Sequence, residues 1–479
     1  MNPLESPRNI FLTGQAGTGK TYIINDYLSC HPDTLVCAST GSAAVDISGT
    51  TVHRLFSIPA AICSNPFQVP DSKLKVFQNT PTIIIDEISM CRADIFSYVV
   101  QLLKRAEKLY GHKIRLIVSG DFFQLPPVVK KEEEAVLRKH GYNPSGFAFT
   151  TPEWQSMRFK TVELKDIYRQ DNAEFIEELG RIRVGDTSDL NYFDQFIDAK
   201  ANDGIILCGT NTEADKVNQE YLENHDGETK AYFAHVQGRW ADLPCEETLV
   251  LKKRLRVICT ANDVLTDAEH PVGRFQNGTQ GVIEELGNGY IDIRTIKGER
   301  IRITPYTWYS YTYKTKRGST LVEKEKTGTV TQFPLRIAKA ITIHKSQGKT
   351  FDKAVISPKS FAAGQLYVAL SRIKSPDGLI LTEPLQPEYV LVDKAVKKFY
   401  ENGFSFSVSE AVKKKRADII RKQKEAAKPK KKVKRTKKSS GAAKKKAGTA
   451  GKKAGTKETK KRRTGSSKLG KEKNGKVRK

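Results

Sequence analysis

The feature that most constrains the fold is a phosphate-binding loop near the start of the chain. The stretch Gly14-Gln15-Ala16-Gly17-Thr18-Gly19-Lys20-Thr21 fits the pattern G-x-x-x-x-G-K-[ST] and follows a mostly apolar run typical of a strand. In this pattern Gly14, Gly17 and Gly19 let backbone N–H groups surround the phosphates. Lys20 can reach the β- and γ-phosphates, and the Thr21 hydroxyl can hold Mg²⁺ where a helix begins. The sequence therefore predicts that the chain binds a nucleoside triphosphate.

Strand and helix patterns alternate along the chain after this loop. Apolar residues at helical spacing mark 22–29 and 92–110. Short apolar runs of the kind buried in parallel sheets lie at 34–38, 82–85, 116–119, 204–208, 340–343, 354–356 and 379–381. This order predicts an α/β protein with two parallel-sheet domains, one over 1–165 and one over 166–229 and 335–405. The interruption at 230–334 is rich in Val, Ile, Tyr and Thr between turn signals, which predicts a small inserted β barrel.

Two acidic residues end one of the predicted strands. Asp86 and Glu87 follow three isoleucines, at the edge of a parallel sheet where ligands bind. We assign Asp86 to Mg²⁺ and Glu87 to the attacking water, because triphosphate hydrolysis needs both functions. A plain acidic surface pair is the alternative. The next predicted strand runs into Gly120-Asp121-Phe122-Phe123-Gln124, where Gln124 can contact the γ-phosphate.

Positive charge is concentrated at the C-terminus. The 479 residues carry a net charge of +27, and 31 of the 81 Lys and Arg but only 4 of the 54 Asp and Glu lie from Lys413 onward. This segment, 413–479, has almost no aromatic or branched residues, which predicts a disordered tail. Its charge favours nucleic acid phosphates, and its proline-led basic run is typical of a signal for nuclear import receptors. A solubilising tail is the alternative.

Other features of the sequence argue against several classes of protein. No apolar run approaches the ~20 residues needed to cross a bilayer, so we expect no membrane partner. The phosphate-binding loop begins so early that no secretory or transit signal is expected. The seven cysteines are scattered without a C-x-x-C pair, which favours a reducing compartment over a disulfide framework or a zinc site. We expect the protein in the nucleus, or at a viral replication site in an infected cell.

An ordered series of motifs resembles the Pif/RecD-type superfamily 1 DNA helicases, most closely the Pif branch. Besides the phosphate-binding loop, the matching segments lie at 38–44, 49–56, 86–90, 120–128, 168–170, 210–211, 277–281, 343–350 and 367–372. Three of them read Gly49-Thr50-Thr51-Val52-His53-Arg54-Leu55-Phe56, Ile343-His344-Lys345-Ser346-Gln347-Gly348-Lys349-Thr350 and Tyr367-Val368-Ala369-Leu370-Ser371-Arg372. The resemblance covers about residues 9 to 385 and leaves the tail unassigned.

The resemblance implies a motor of two RecA-like domains with an SH3-like barrel inserted in the second. ATP and Mg²⁺ would bind between the domains, with Arg169 and Arg372 as arginine fingers and Gln347 and Gly348 at the nucleotide. The residues that match DNA-backbone contacts of relatives are Thr40, His53, Asn211, His344 and Lys345. Without the resemblance, the arginines would be surface charges and the histidines hydrogen-bonded core residues.

The function that the resemblance implies is an ATP-dependent DNA helicase that moves 5′ to 3′ on single-stranded DNA. We expect it to act as a monomer. It would unwind duplex or structured DNA in replication, repair or recombination. The loop 57–80 stands where relatives carry a strand-splitting wedge, with Phe67 and Pro70 as candidates. Two alternatives stay open: a nucleotide-gated nucleic-acid binding or packaging protein with a histone-like tail, and a translocase on DNA or RNA that never separates strands.

Overall fold

The computed structural model describes residues 2–59, 61–199, 204–238, 240, 243–263, 274–275, 277–295, 298–315 and 322–428. Within these ranges the side chains of 312–315 and 322–324 are excluded from the description. Residues 429–479, and with them the expectation of a disordered tail there, lie outside the described residues. Across the described ranges, no helix has both the length and the apolar character needed to span a bilayer.

The first domain is built on a six-stranded parallel sheet, which confirms the predicted alternation. Its strands, β1 (Ile10–Gly14), β2 (Leu35–Ala38), β3 (Thr50–Thr51), β4 (Thr82–Asp86), β5 (Arg115–Ser119) and β6 (Lys160–Leu164), run in the order β3-β2-β4-β5-β1-β6. Its helices are α1 (Lys20–Cys30), α2 (Gly41–Asp46), α3 (Val52–Leu55), α4 (Asp71–Leu74), α5 (Ala93–Tyr110), α6 (Lys131–Lys139) and α7 (Pro152–Met157). The middle residues of β4 are all apolar because both faces of the sheet are covered: Ile83 and Ile85 enter one core, and Ile84 the other.

The second domain begins with α8 (Ala173–Val184), β7 (Ile205–Cys208) and α9 (Asn211–Glu223). An antiparallel insertion follows, with β8 (Thr229–Phe233), β9 (His235–Gly238), β10 (Thr248–Lys252), β11 (Arg256–Cys259), β12 (Gln280–Leu286), β13 (Ile291–Thr295), β14 (Arg300–Ile303), β15 (Tyr306–Thr315), β16 (Val322–Gln332) and β17 (Leu335–Ile337). They form sheets of order β14-β13-β12-β11-β17, β15-β16-β9 and β10-β8. The domain resumes with β18 (Ala340–Thr342), α10 (Ile343–Ser346), β19 (Ala354–Ile356), α11 (Gln365–Leu370) and β20 (Leu379–Leu381), and its parallel sheet runs β18-β7-β19-β20.

Two structural boundaries differ from those expected from sequence. Strand β17 pairs with β11 of the insertion, with Val257 opposite Ile337, so the insertion extends past residue 334. Helix α12 (Lys394–Glu401), assigned to the second domain, places Val396 and Phe399 in a core of the first domain. Both differences arise because the short apolar runs fit either domain locally, and tertiary packing decides between them.

Residues 413–426, expected at the start of the disordered tail, instead form most of a helix. This helix, α13 (Glu410–Ala426), begins at Ser409, whose hydroxyl accepts a hydrogen bond from the N–H of Val412. Its Arg416 is buried against the first domain. The lysines of α13 therefore alternate with residues that pack against the first domain. The count of charges in the sequence did not reveal this packing.

Candidate nucleotide site and nucleic-acid cleft

The phosphate-binding loop connects β1 to α1 and has the backbone that its glycines allow. Gly17 and Gly19 have φ of +83° and +80°. A Cβ on Gly17 would lie 2.6 Å from the Cβ of Arg169. Glycine is therefore required at this position both because a side chain has no room and because the backbone has a positive φ. The Lys20 ammonium donates to the carbonyls of Gly14 and Gln15 at 2.8 and 2.9 Å. Burial lowers the pKa of Lys20, although nearby carboxylates oppose this shift.

The predicted acidic pair lies beside this loop, at the end of β4. Asp86 accepts a hydrogen bond from the N–H of Glu87 at 2.9 Å. The nearby Thr21 hydroxyl lowers the pKa of Asp86 and lines the same cleft, so the two predicted Mg²⁺ ligands are adjacent. Glu87 has φ of +52° and accepts from the Gln347 amide at 2.9 Å. Burial raises the pKa of Asp86, and burial together with the charge of Asp86 raises that of Glu87 to about 7. The contact with Gln347 joins the two domains at the predicted catalytic carboxylate.

The two predicted arginine fingers both donate hydrogen bonds at the C-terminal end of α11. Arg169 donates to the carbonyl of Ser371 at 3.0 Å, and Arg372 donates to the carbonyl of Val368 and the hydroxyl of Ser371, both at 2.9 Å. Burial lowers the pKa of Arg169 to about 10 and that of Arg372 to about 9, while Glu87 acts in the opposite direction on both. The structure therefore brings both guanidiniums near Glu87, held by the end of α11.

Gln124 is buried in the turn after β5, and its N–H donates to the carbonyl of Asp121 at 3.0 Å. The same turn contains an ion pair that the sequence analysis missed. Arg183 of α8 donates to both carboxylate oxygens of Asp121 at 2.9 and 3.0 Å, and the two side chains are only 8% and 0% exposed. The Arg183 charge holds the pKa of Asp121 below its usual value despite burial, which alone would raise it. The second domain thus contacts the Gln124 turn directly.

Two tyrosines complete the contacts between distant parts of the chain. The Tyr400 hydroxyl, from α12, donates to Asp121 at 3.1 Å, accepts from the N–H of Phe122 at 3.2 Å, and lies 3.2 Å from the Thr13 hydroxyl. The Tyr367 hydroxyl, from α11, accepts the N–H of Ala16 in the phosphate-binding loop at 2.9 Å. Tyr367 belongs to a motif that the sequence analysis quoted, but no local pattern marks Tyr400.

The predicted DNA contacts lie where parallel strands end. Thr40 follows β2, His53 follows β3, Asn211 follows β7, and His344 and Lys345 follow β18. Such strand ends are where open parallel sheets bind ligands. Burial lowers the pKa of both His53 and His344, which favours their neutral forms.

These five residues are not gathered in one cavity. Thr40 and His53 line a cavity of about 350 Å³ together with Arg92. Thr40 also lines a cleft of about 560 Å³ that contains Thr21, Asp86, Glu87, Gln347 and Gly348. Lys345 lines a third cavity, of about 450 Å³, against the insertion. Asn211 is exposed at the start of α9, and His344 is half-buried. These cavities therefore do not unite the five residues in one site.

The loop suggested as a wedge, 57–80, contains helix α4, and part of it packs into a core of the first domain. Its Pro70 is exposed before α4, whereas Phe67 is half-buried, with the Lys424 ammonium 5.2 Å from the centre of its ring. Other residues of the loop, Pro59 and Ile62, line the cavity that contains Thr40 and His53. The loop therefore lies between that cavity and α13.

Comparison with known proteins identifies relatives over most of the chain. A model of the PIF1-like helicase family matches residues 3–192. The ATP-dependent DNA helicase Pif1 of Campylobacter jejuni is 32% identical over 412 residues, which cover 78% of this chain and 88% of that protein. The human ATP-dependent DNA helicase PIF1 is 33% identical over 421 residues, which cover 82% of this chain and 61% of the human protein.

Solved structures with the same fold include complexes with nucleotide and DNA. Pif1 from Bacteroides in complex with ADP-AlF4 matches with a TM-score of 0.74 at 31% identity, covering 83% of this chain and 94% of that one. The Bacteroides helicase in complex with ADP-AlF3 and ssDNA matches with a TM-score of 0.57 at 31% identity, covering 84% and 95%.

Proposed function

This chain belongs to the PIF1-like helicase family and is an ATP-dependent DNA helicase, and we propose that it moves 5′ to 3′ on single-stranded DNA. The observation that carries the mechanism is the set of contacts between the two domains at the phosphate-binding loop. Gln347 reaches Glu87 at 2.9 Å and Tyr367 reaches Ala16 at 2.9 Å. A nucleotide bound at this boundary is sensed by both domains, which couples hydrolysis to their relative movement.

The nucleotide and its metal are assigned to the first domain. Gly14, Gly17, Gly19 and Lys20 surround the phosphates, and the adjacent Thr21 and Asp86 hold Mg²⁺. Within the described residues, no group of three His, Cys, Asp or Glu is arranged to hold a metal alone. This donor set fits Mg²⁺, which is commonly held by one or two protein oxygens together with substrate phosphates. When bound, the ion would neutralise negative charge on the phosphates.

The hydrolytic step is assigned to four side chains. Glu87, in its ionised form, accepts a hydrogen bond from the attacking water and orients it, and Gln124 contacts the γ-phosphate. Arg169 and Arg372 leave their carbonyl and hydroxyl partners and move onto the phosphate as charge develops. Arginine fingers of this kind contribute roughly 10³ to 10⁵ in rate. The lowered pKa values of both arginines reflect burial, so each gains interaction energy when it meets an anion.

Single-stranded DNA is assigned to the track formed by Thr40, His53, Asn211, His344 and Lys345. Because hydroxyl, amide, imidazole and ammonium groups contact backbone phosphates and sugars, we expect weak sequence preference. The antiparallel insertion is proposed to be an SH3-like barrel beside this track.

We further propose that the protein acts as a monomer in replication, repair or recombination. It would do so in the nucleus or at a viral replication site, and its tail would bind nucleic acid phosphates or import receptors.

Direction of movement is tested with two partial duplexes that share one duplex sequence. One carries a 5′ single-stranded overhang and the other a 3′ overhang of equal length. The proposed polarity predicts ATP-dependent strand separation of the 5′-tailed substrate only. Equal unwinding of both, or unwinding of the 3′-tailed substrate alone, would contradict it, and hydrolysis without any separation would favour the translocase alternative.

A further inference from the structure

Helix α13 is held on the first domain by contacts at both of its ends. Near its N-terminal end, Arg416 donates to Glu153 at 3.0 Å, with the two side chains only 5% and 3% exposed, and to the carbonyl of His140 at 3.1 Å. Lys415 donates to the carbonyl of Arg138 at 2.9 Å. These carbonyls end α6, where a helix attracts cations because its last carbonyls lack intrahelical partners. The helix is therefore fixed at a defined place despite its charge.

The far end of α13 lies on the loop 57–80. The Asn65 amide donates to the carbonyl of Gln423 at 3.0 Å, and Lys424 lies over the ring of Phe67. The other side of this loop contributes Pro59 and Ile62 to the cavity that contains two of the proposed single-strand contacts. The loop 57–80 would therefore separate a DNA strand bound in the Thr40 and His53 cavity from the surface of α13.

The outward face of α13 carries regularly spaced cations. Lys414 and Arg421 of the helix, and Lys428 two residues beyond its end, are all exposed and recur every seven residues. The buried Arg416 and half-buried Gln423 lie on the opposite face of the helix. Over 410–428 there are eight Lys and Arg against three Asp and Glu. At 1.5 Å per residue the three cations span roughly 21 Å, which corresponds to about six phosphates of one DNA strand at 3.4 Å each.

From this placement we propose that α13 is a contact surface for the phosphates of double-stranded DNA ahead of the strand-separating loop. The inference rests on the proposed helicase function, because it takes the loop as the point where strands part. Single-stranded DNA enters on the Thr40 side, and the duplex that remains to be opened lies along α13.

The test compares a full-length charge variant with the wild-type chain. The variant is Lys414→Gln/Arg421→Gln/Lys428→Gln, and the matched control, Lys160→Gln/Lys394→Gln/Lys398→Gln, removes three exposed cations from β6 and α12. The affinity for DNA is measured as a function of salt concentration on three DNAs. The first is a single-stranded oligonucleotide with the sequence of the overhang, the second is a partial duplex that carries this sequence as its 5′ overhang, and the third is the same partial duplex with a displaced 3′ single strand added. Because each duplex phosphate contact contributes about 0.9 to the slope of log affinity against log salt, the α13 variant should lose roughly 2 to 3 from the slope on the partial duplex.

The slope for the overhang alone should not change, and the control variant should resemble the wild type on all three DNAs. An equal loss on overhang and partial duplex, or no loss at all, would overturn the proposal. A loss seen only with the added 3′ strand would assign α13 to the displaced strand and would also overturn it. ATP hydrolysis stimulated by the overhang is followed in parallel; if the wild-type chain shows none, the proposed function fails, whatever the result for α13.

Discussion

The buried pair of Arg183 and Asp121 gives a prediction whose size follows from the structure. The Arg183→Met variant removes the cation but leaves the Asp121 carboxylate, whose side chain is 0% exposed. Breaking a buried ion pair in this way costs about 3 to 5 kcal/mol because the remaining charge is uncompensated. A second variant, Asp121→Asn/Arg183→Met, removes both charges. The double variant should recover most of the lost stability, because the side-chain oxygen of the new asparagine can still accept hydrogen bonds from the N–H of Phe123 and the hydroxyl of Tyr400.

The assay is amide hydrogen exchange in peptides that cover residues 120–124. This turn contains the N–H groups of Phe122 and Phe123, which donate to Tyr400 and to Asp121, so local opening exposes them. A loss of 3 to 5 kcal/mol corresponds to exchange that is roughly 10²- to 5 × 10³-fold faster in Arg183→Met, because each 1.4 kcal/mol is about a factor of ten. ATP hydrolysis should fall with it, because Gln124 lies in the same turn. Exchange within a factor of five of the wild type, or a double variant as fast as the single one, would refute the reasoning.

Three further predictions concern the nucleotide and the tail. Lys20→Ala should abolish DNA-stimulated ATP hydrolysis but leave single-strand binding intact; residual hydrolysis above a few per cent would contradict the assignment of this loop. The pKa of Glu87 is raised to about 7, so its carboxylate is ionised above neutral pH and kcat/KM for ATP should fall as the pH drops through about 7. A pH profile with its midpoint near the usual value of 4.5 would count against Glu87 as the group that orients the water. Deletion of residues 429–479, with α13 retained, should make the salt dependence of single-strand binding shallower by roughly 4 if the tail neutralises six phosphates; an unchanged slope would exclude that role.

The features that could be predicted from sequence are those whose signals are local. The glycine pattern of 14–21 and the apolar run at 83–85 determine backbone shape and burial over a few residues, and both predicted elements are confirmed. The adjacency of Thr21 and Asp86 also follows locally, since each stands at the end of a parallel strand or the start of the next helix. The catalytic roles assigned to Glu87, Gln124 and the two arginines stay predictions.

The features that were missed depend on contacts between distant residues or on a pattern hidden by composition. Asp121 meets Arg183 and Tyr400, which are 62 and 279 positions away along the chain, and neither partner carries a local signal. Helix α13 did carry one: Ser409 as a cap, with Arg416, Ile420 and Gln423 spaced along a single face. Its high lysine content favoured disorder in the sequence analysis, whereas the buried contacts of Arg416 stabilise the helix.

The most direct test of the mechanism is ATP hydrolysis by the wild-type chain and by Glu87→Gln, with and without a single-stranded oligonucleotide. If Glu87 orients the water between two DNA-responsive domains, the oligonucleotide should accelerate the wild type, and Glu87→Gln should lose at least roughly 10²-fold in rate while still binding ATP. Full turnover by Glu87→Gln, or a wild-type rate that does not respond to the oligonucleotide, would contradict the account.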